Sequence, residues 1–280
     1  MPAAYLQNRR FIRISGQEGE HFLQNLITTD IASLPPGEAR PGALLTPQGK
    51  ILFDFMVWRD GDAFVLETAS DQMEALIRRL TMYKLRAAVE ISAMDEHGAT
   101  LIWGDGASVA GPEDVRFSKA GIRLVRLAGQ VETDAPEGAY DLLRVEAGIA
   151  ASGADFDLQD AFPHDVLMDL NGGLSFRKGC YVGQEVVSRM QHRGTARRRL
   201  VRIEAEAPLP PTGTEITAAG KPVGRLGTVR DRQALAIVRT DRVGAAVAAG
   251  IPLLAGEVTL TASLPDWSGL AFPAQEGDEP

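Results

Sequence analysis

The spacing of apolar residues predicts a sheet with interspersed helices in the first half of the chain. Alternation predicts a strand at residues 10–15, and apolar positions three and four apart predict a short helix at residues 19–26. Two apolar segments, residues 43–45 and 51–58, flank a Thr-Pro-Gln-Gly turn, which is typical of a hairpin. A further strand is predicted at residues 63–68.

The next segments continue this mixture. Residues 70–85 begin with Ser and Asp, which cap helices, and place four apolar residues on one face. Strands are predicted at residues 89–93, 99–103, 122–127 and 140–146. The last of these segments also fits the start of a helix, and the pattern leaves both interpretations open. The fold class predicted for this region is α+β.

The pattern changes close to residue 200. Short apolar segments separated by Pro and Gly follow, which is typical of a small antiparallel β-barrel. These predicted strands are at residues 200–206, 215–218, 222–230, 234–239 and 257–262. We therefore predict a first region at 1–197, which we expect to contain two subdomains, a C-terminal barrel at 198–270 and a flexible tail at 271–280.

Composition narrows the function classes. The net charge of −8 disfavours nucleic acid as a partner, and no apolar segment approaches the roughly 18 residues of a membrane span. The single cysteine excludes an internal disulfide and an iron–sulfur cluster held by this chain's cysteines alone. The four histidines show no metal-binding spacing, so no metal site is predicted.

The cysteine usage also bears on location. One unpaired cysteine fits a reducing compartment, and residues 1–10 are too polar for the apolar core of a signal peptide. We expect a bacterial protein of this sequence to be cytoplasmic. A eukaryotic one is expected in the mitochondrial matrix after removal of a transit peptide.

The strongest candidate for chemistry is the segment Lys-Gly-Cys-Tyr-Val-Gly-Gln-Glu at residues 178–185, which we call the cysteine motif. Its glycines permit tight turns, and neighbouring cations favour the reactive thiolate of Cys180. Gln184 and Glu185 add planar hydrogen-bonding groups. The alternative is that Cys180 is a small buried apolar residue without a chemical role.

The cysteine motif resembles the signature of the YgfZ-type folate-binding proteins, relatives of the glycine-cleavage T protein (aminomethyltransferase) that act in iron–sulfur protein maturation. Four other segments resemble the same family, and together they cover most of the chain. They are residues 19–30, 43–54, 144–149 and 264–267. The resemblance implies a T-protein-like fold, tetrahydrofolate or a one-carbon derivative as cofactor, and iron–sulfur enzymes or assembly factors as partners.

The resemblance also implies which residues bind folate. T proteins tend to carry two adjacent acids after the first turn, whereas this chain has Phe53 and Asp54, which puts methylene transfer in doubt. Asp165 stands where T proteins have a glutamate that holds the pterin. The alternatives are an exposed strand residue for Asp54 and a turn residue for Asp165. The other positions implied to contact folate are Arg144, Glu146, Asn171, Lys178, Gln184 and Glu185; for Asn171 a turn role is the alternative.

An arginine-rich segment follows the cysteine motif at residues 189–199. It lacks the interleaved aromatic residues of a nucleic-acid surface. It fits either the negatively charged glutamate tail of a folate or a solvated linker between domains.

These observations lead to one leading function and two alternatives. We predict a tetrahydrofolate-binding protein that supports assembly or repair of iron–sulfur enzymes, with Cys180 as its chemical group. The first alternative is a folate-dependent aminomethyltransferase, that is, a one-carbon transferase. The second is a non-enzymatic scaffold for iron–sulfur proteins that lack their cluster.

Overall fold

The computed structural model describes residues 2–104 and 109–273. The described chain forms two compact units. Unit 1 runs to Ala139 and resumes over Met168–Ser188, and unit 2 contains Tyr140–Leu167 and the residues from Arg189 onward. Most of the tail predicted to be flexible, from residue 274 on, lies outside the described residues.

Seven strands in the described part of unit 1 close into a barrel. The strands are β1 (Ala3–Ser15), β2 (Glu38–Leu45), β3 (Ile51–Asp60), β4 (Ala63–Ala69), β5 (Glu90–Trp103), β6 (Glu113–Asp114) and β7 (Leu124–Ala128). Their spatial order is β1-β4-β3-β2-β6-β7-β5, and all neighbours are antiparallel except β2 and β6. The helices are α1 (Gly19–Gln24), α2 (Met73–Lys84) and α3 (Val115–Lys119).

The core of unit 1 follows from the two periodicities in the sequence. Every second residue of the strands faces one side of the sheet, and α1 and α2 cover that side with their apolar stripes. The fully or almost fully buried residues of this cluster include Ile12, Ile14, Leu23, Phe55, Val57, Leu66, Leu76 and Leu80. The two predicted helices are therefore confirmed in their buried faces, although α1 ends at Gln24 and α2 begins only at Met73, with Gln72 in place of the predicted Ser or Asp as its N-cap.

Alternate residues of the same strands carry a buried network of ion pairs. Arg126 donates to both carboxylate oxygens of Glu67, from Nε at 2.7 Å and from Nη2 at 2.5 Å, and to Oδ2 of Asp114 from Nη1 at 2.8 Å. Arg9 also donates to Glu67, at 2.8 Å, and Arg116 donates to Asp114, at 2.7 Å. Both carboxylates are inaccessible to solvent, so each charge depends on these partners.

This network lowers the pKa of both acids. Burial by itself raises the pKa of Glu67, but the charges and hydrogen bonds of Arg126 and Arg9 outweigh burial and bring it down to about 2. Burial likewise opposes ionisation of Asp114, and Arg116 and Arg126 lower its pKa below the usual value. The strands of unit 1 are thus joined through two carboxylates that have no access to water.

Six strands of unit 2 close into a second barrel within the described residues. They are β8 (Arg198–Glu204), β9 (Glu215–Ala218), β10 (Lys221–Arg230), β11 (Gln233–Arg239), β12 (Leu253–Ala255) and β13 (Val258–Ser263), in the spatial order β10-β11-β8-β13-β12-β9. The helical segments in the rest of the chain are α4 (Ala139–Ala147), a 3-10 turn at Pro163–Val166, α5 (Gln184–His192), α6 (Thr240–Ala248) and a 3-10 turn at Asp266–Ser268.

The structure bears out the α+β fold class and the C-terminal barrel, and it corrects several elements: the strands predicted at 89–93 and 99–103 form the single strand β5, and α6 and β12 were not predicted. The strand predicted at residues 140–146 is wrong, and the helical alternative is right, since these residues form α4. Asp141 in the first turn pairs with Arg144 one turn later at 2.8 Å, which is a helical spacing. The first strand of the C-terminal barrel, β8, begins at Arg198, next to the predicted boundary. Unit 2, which contains this barrel, also includes Tyr140–Leu167.

Candidate functional site

The cysteine motif forms a turn that leads directly into α5. Gly179 and Gly183 both have left-handed backbones, with φ of +101° and +78°. Gln184 folds back on the turn, because its Oε1 accepts from the backbone N–H of Tyr181 at 3.3 Å and its own N–H donates to the Tyr181 carbonyl at 3.3 Å. The two glycines therefore hold Cys180 at the tip of a turn that its own neighbours close.

This turn packs against the hairpin turn between β2 and β3 through a glycine on each side. A methyl group at Gly183 would collide with the carbonyl oxygen of Thr46, and one at Gly49 would lie 3.1 Å from Cβ of Val186. Two segments that are distant in the sequence thus approach more closely than side chains would permit. Both segments were singled out by the family resemblance, and the structure places them together in unit 1.

Lys178 and Tyr181 are fixed beneath the tip of the turn. The Lys178 ammonium donates to the carbonyl of Gln24, and Nε2 of Gln24 bonds both the Lys178 carbonyl, at 3.3 Å, and Oδ1 of Asp30, at 2.9 Å. Burial lowers the pKa of Lys178 to about 8, although the nearby charge of Asp30 opposes this shift. The ammonium also lies 5.1 Å from the centre of the Tyr181 ring.

Cys180 and Tyr181 differ sharply in exposure. The Cys180 thiol is free and exposed, so the interpretation of Cys180 as a buried packing residue does not fit the structure. The Tyr181 ring is buried, and its hydroxyl has no hydrogen-bond partner among the described residues. Burial raises the pKa of Tyr181, so the hydroxyl remains protonated and able to donate. A buried donor without an acceptor is costly, and a bound ligand can supply the acceptor.

Asp54 and Phe53 lie on opposite faces of β3, as alternation requires. Oδ1 of Asp54 accepts from Nε2 of Gln72 at 3.3 Å, and the side chain is half-buried. Phe53 packs into the apolar core of unit 1. The acid that T proteins tend to have at this position would therefore be buried among apolar side chains, at a high desolvation cost.

The remaining predicted residues of unit 1 have local roles as well. Oδ1 of Asn171 accepts from the backbone N–H of Gly173 at 3.1 Å, which is the bond of an Asx turn and favours the turn alternative. Glu185 is exposed in the first turn of α5, where a negative charge favours the helix. Unit 1 therefore brings Lys178, Cys180 and Gln184 together in one turn with Glu185.

Three predicted residues, Arg144, Glu146 and Asp165, belong to unit 2, and Arg144 is the centre of a buried cluster there. Its guanidinium donates to Oδ2 of Asp155 and Oδ1 of Asp141, both at 2.8 Å, and to Oγ1 of Thr228 at 3.1 Å. A further bond at 3.0 Å reaches the carbonyl of Ile149. Burial opposes the charge of Arg144, but these partners, Asp155 above all, raise its pKa. Arg144 thus holds α4 to the loop after it and to β10.

Asp165 and Glu146 differ in burial. Asp165 is buried, and its Oδ2 accepts from the backbone N–H of Phe162 at 3.1 Å, which closes its own turn and matches the turn alternative. Arg198 stands 3.7 Å from the same oxygen. Glu146 is exposed on α4, where its backbone carbonyl accepts from Arg202 at 3.1 Å. Folate contacts by Arg144, Glu146 and Asp165 remain predictions.

The arginine-rich segment at residues 189–199 is partly engaged inside unit 2. Arg198 pairs with Asp160 at 3.2 Å, and Arg199 donates to the carbonyl of His164 at 2.9 Å. Arg193 and Arg197 have exposed side chains. At least two of the arginines therefore support the 3-10 turn that contains Asp165.

Sequence reasoning missed several residues that build the site. Gln24 and Asp30 lie in a segment that resembled the family, but nothing in the sequence paired them with Lys178. Asp155, which neutralises Arg144, stood in a segment without periodicity. In the described residues, no group of three or more His, Cys, Asp or Glu is arranged to hold a metal ion. None of the helices there is long and apolar enough to cross a membrane.

Two barrels, with a glycine-bounded cysteine turn on the first, define a protein of the glycine-cleavage T-protein fold. The fold is similar to that of the glycine cleavage system aminomethyltransferase T from Bartonella henselae, with a TM-score of 0.72 over 94% of this chain and 85% of that chain. Sequence identity with that structure is 17%, so the likeness concerns the fold.

Comparison of the sequence with known proteins shows which proteins of this fold the chain is similar to. Residues 197–270 match the family model of the CAF17 C-terminal beta-barrel domain. The chain is 31% identical to the mitochondrial iron–sulfur cluster assembly factor IBA57 homolog of Pyricularia oryzae, over 70% of this chain and 55% of that protein. It is 27% identical to mouse mitochondrial IBA57, over 94% of this chain and 84% of that protein.

These comparisons refine the predicted resemblance. The chain is similar to IBA57 proteins over most of its length and to the CAF17 C-terminal barrel over residues 197–270, it has a T-protein-like fold, and its sequence relatives carry the IBA57 name rather than YgfZ. It spans about half the length of the first curated relatives that it matches. Those relatives are named as mitochondrial proteins, which agrees with the mitochondrial alternative and gives no support to a cytoplasmic location.

Proposed function

We propose that this protein supports the assembly of iron–sulfur clusters on other proteins and that Cys180 is the residue through which it acts. The observation that carries the proposal is the exposed thiol at the tip of the glycine turn, in a chain that aligns over most of its length with mouse IBA57. The names of the relatives support a role in iron–sulfur cluster assembly, and the geometry of the turn supports Cys180 as the residue involved.

The chemistry of the proposed site is limited by the number of thiols. A cluster held by cysteines requires several thiolates, and this chain has one. Cys180 therefore acts in concert with thiolates of a partner protein, with the cluster as cargo. The partners proposed are iron–sulfur enzymes or assembly factors.

The test of this role is complementation of a strain that lacks its own IBA57-type factor. Cys180→Ala is expected to reduce the activity of iron–sulfur enzymes to the level of the empty vector, while a cluster-free enzyme in the same extract stays constant. Because the side chain is exposed, its truncation is expected to change the unfolding free energy by no more than about 0.5 kcal/mol. Full complementation by a stable Cys180→Ala protein would show that the thiol is not the working group.

We propose further that unit 1 binds tetrahydrofolate beside the cysteine motif. The support is the T-protein fold together with the buried Tyr181 hydroxyl, which lacks an acceptor among the described residues. Of the residues predicted for folate, Asp54, Lys178, Gln184 and Glu185 lie in this unit and carry suitable polar groups. Asn171 also lies in unit 1 and carries a polar group, although its Oδ1 already accepts a hydrogen bond within its own turn. Aminomethyl transfer is the weaker candidate, since Phe53 is part of the apolar core.

Calorimetry with tetrahydrofolate tests this part separately. We expect binding in the micromolar range for the wild type and roughly three- to tenfold weaker binding for Tyr181→Phe, since one hydrogen bond contributes about 0.5–1.5 kcal/mol. Cys180→Ala serves as the matched control, and its affinity should equal that of the wild type. Absence of binding heat at millimolar ligand would refute folate binding and leave the role of Cys180 in place.

A further inference from the structure

The end of α2 exposes an unusual group of apolar side chains. Met82, Tyr83 and Leu85 are 67%, 37% and 88% exposed, and they occupy three of four consecutive positions. Only four other large apolar residues are comparably exposed in the described parts of the chain, and no two of them are closer than four positions in the sequence. Single exposed apolar residues are ordinary, whereas a contiguous group marks a surface that binds something.

The backbone of Leu85 is strained as well. Its φ of +48° and ψ of −106° lie in a region that residues with a side chain avoid, at a cost of about 1–3 kcal/mol. Glycine would adopt this conformation without strain. Burial does not compensate here, because the Leu85 side chain is almost fully exposed. The strain therefore presents a large apolar side chain to solvent.

A small apolar pocket lies next to these residues in unit 1. Tyr83, Ala87, Phe22, Leu26 and Val182 supply its apolar lining, and Glu18, His21 and Asn25 complete the wall around a volume of about 290 Å³. A pocket of this size accepts one large apolar side chain, as the anchor pockets of protein interfaces do. Val182 belongs to the cysteine motif, so the pocket reaches the segment that carries Cys180.

Positive charge surrounds the apolar group. Arg79, Lys84 and Arg86 have no side-chain ion pair or hydrogen bond within the described residues, and residues 78–86 contain no acid. The whole chain carries a net charge of −8, so this segment contrasts with the rest of the sequence. A surface with an apolar centre and unpaired cations complements a partner with an apolar centre and carboxylates.

We propose that this surface, defined by Met82, Tyr83, Leu85 and the pocket beside them, docks an acidic segment of a partner protein. The segment inserts one large apolar side chain into the pocket, and its flanking carboxylates face Arg79, Lys84 and Arg86. The proposal concerns binding alone and does not depend on the chemistry proposed for Cys180.

Two other occupants fit the surface less well. An amphipathic helix that lies on a membrane needs a free apolar face, but Leu76 and Leu80, the apolar stripe of α2, are buried in the core. A second copy of this chain in a two-fold interface would place the same unpaired cations, such as Lys84 and Arg86, close to one another, which is unfavourable.

The probe is a fluorescein-labelled peptide of twelve residues with a central Phe-Leu pair flanked on both sides by glutamates. Two further peptides replace the apolar pair by serines or the glutamates by lysines. By fluorescence anisotropy at low salt, the acidic apolar peptide is expected to bind at least tenfold more tightly than either. The double variant Lys84→Glu, Arg86→Glu and the single variant Leu85→Asp are each expected to weaken its binding at least tenfold.

Val247→Asp is the matched control, since Val247 is 57% exposed but belongs to unit 2. It should bind the peptide as the wild type does, and thermal melts should show that all variants are folded. The proposal is overturned if the acidic peptide does not bind at 1 mM, or if Leu85→Asp binds it unchanged. Self-association that Leu85→Asp abolishes, or vesicles with 30% anionic lipid that bind in place of the peptide, would assign the surface to another occupant.

Discussion

Arg126→Met is expected to lower the free energy of unfolding of unit 1 by about 3–5 kcal/mol. The substitution removes the guanidinium that donates to both oxygens of Glu67 and to Asp114, while both carboxylates remain buried. Glu67 is left with Arg9 and Asp114 with Arg116. Urea unfolding can be followed by Trp58 and Trp103, which belong to unit 1, in a Trp267→Phe background.

The pH dependence gives this prediction a second readout. The pKa of Glu67 is about 2 in the folded protein against 4.5 without its surroundings, so its contribution to stability is complete above pH 4.5 and is lost as the pH falls toward 2. Without Arg126, burial has a greater influence on this pKa, which rises. The acid loss of stability due to Glu67 should therefore be smaller in Arg126→Met than in the wild type and should end at a higher pH, because the interval between the unfolded and folded pKa values is narrower.

Arg78→Met is the control for removal of an arginine as such. Arg78 pairs with Glu74 at 3.5 Å on the exposed face of α2, where such a pair contributes about 0–0.5 kcal/mol. If Arg126→Met costs no more than Arg78→Met, the buried network does not stabilise unit 1.

Periodicity explains why much of the fold could be predicted. The stripe of Leu76 and Leu80 and the alternation on β3 report burial directly, because a packed face must be apolar. The same signal failed at residues 140–146, where the buried residue at the centre of α4 is Arg144. Arg144 can be buried because Asp155 and Asp141 pair with it. The contact with Asp155 forms only in the tertiary structure, so the local sequence pattern does not reveal it.

The candidate site was predictable only as far as its motif. Glycines around a lone cysteine indicated a tight turn, which the structure has, whereas the sequence left burial of the thiol open and the structure shows it exposed. The partners of the turn could not be read in the same way. Gln24 bonds Lys178 across 154 positions of sequence, and the approach of Gly183 to Thr46 depends on how the barrel closes. The motif thus predicted the turn itself, whereas the residues that support the turn could be found only in the three-dimensional fold.

Gly183→Ala is expected to disrupt this support and to destabilise unit 1 by about 2–5 kcal/mol. Two costs add in this substitution. At φ +78° the backbone is strained for alanine, and the new methyl group would collide with the Thr46 carbonyl and lie 3.0 Å from Cβ of Leu45 and 3.2 Å from Cα of Gly49. The turn must shift, and Cys180 moves with it. The reaction rate of the thiol with Ellman's reagent should change together with the urea midpoint.

Gly179→Ala is a control that introduces backbone strain without the steric collision expected at Gly183. Gly179 also has a left-handed backbone, with φ of +101°, but a methyl group there would meet no atom within 4 Å. Its cost is therefore expected to be the strain alone, about 1–3 kcal/mol. If the contact between the two turns positions Cys180, Gly183→Ala should abolish complementation of iron–sulfur enzyme activity and Gly179→Ala should retain part of it. Equal complementation by the two variants would mean that this contact is not needed to position the thiol.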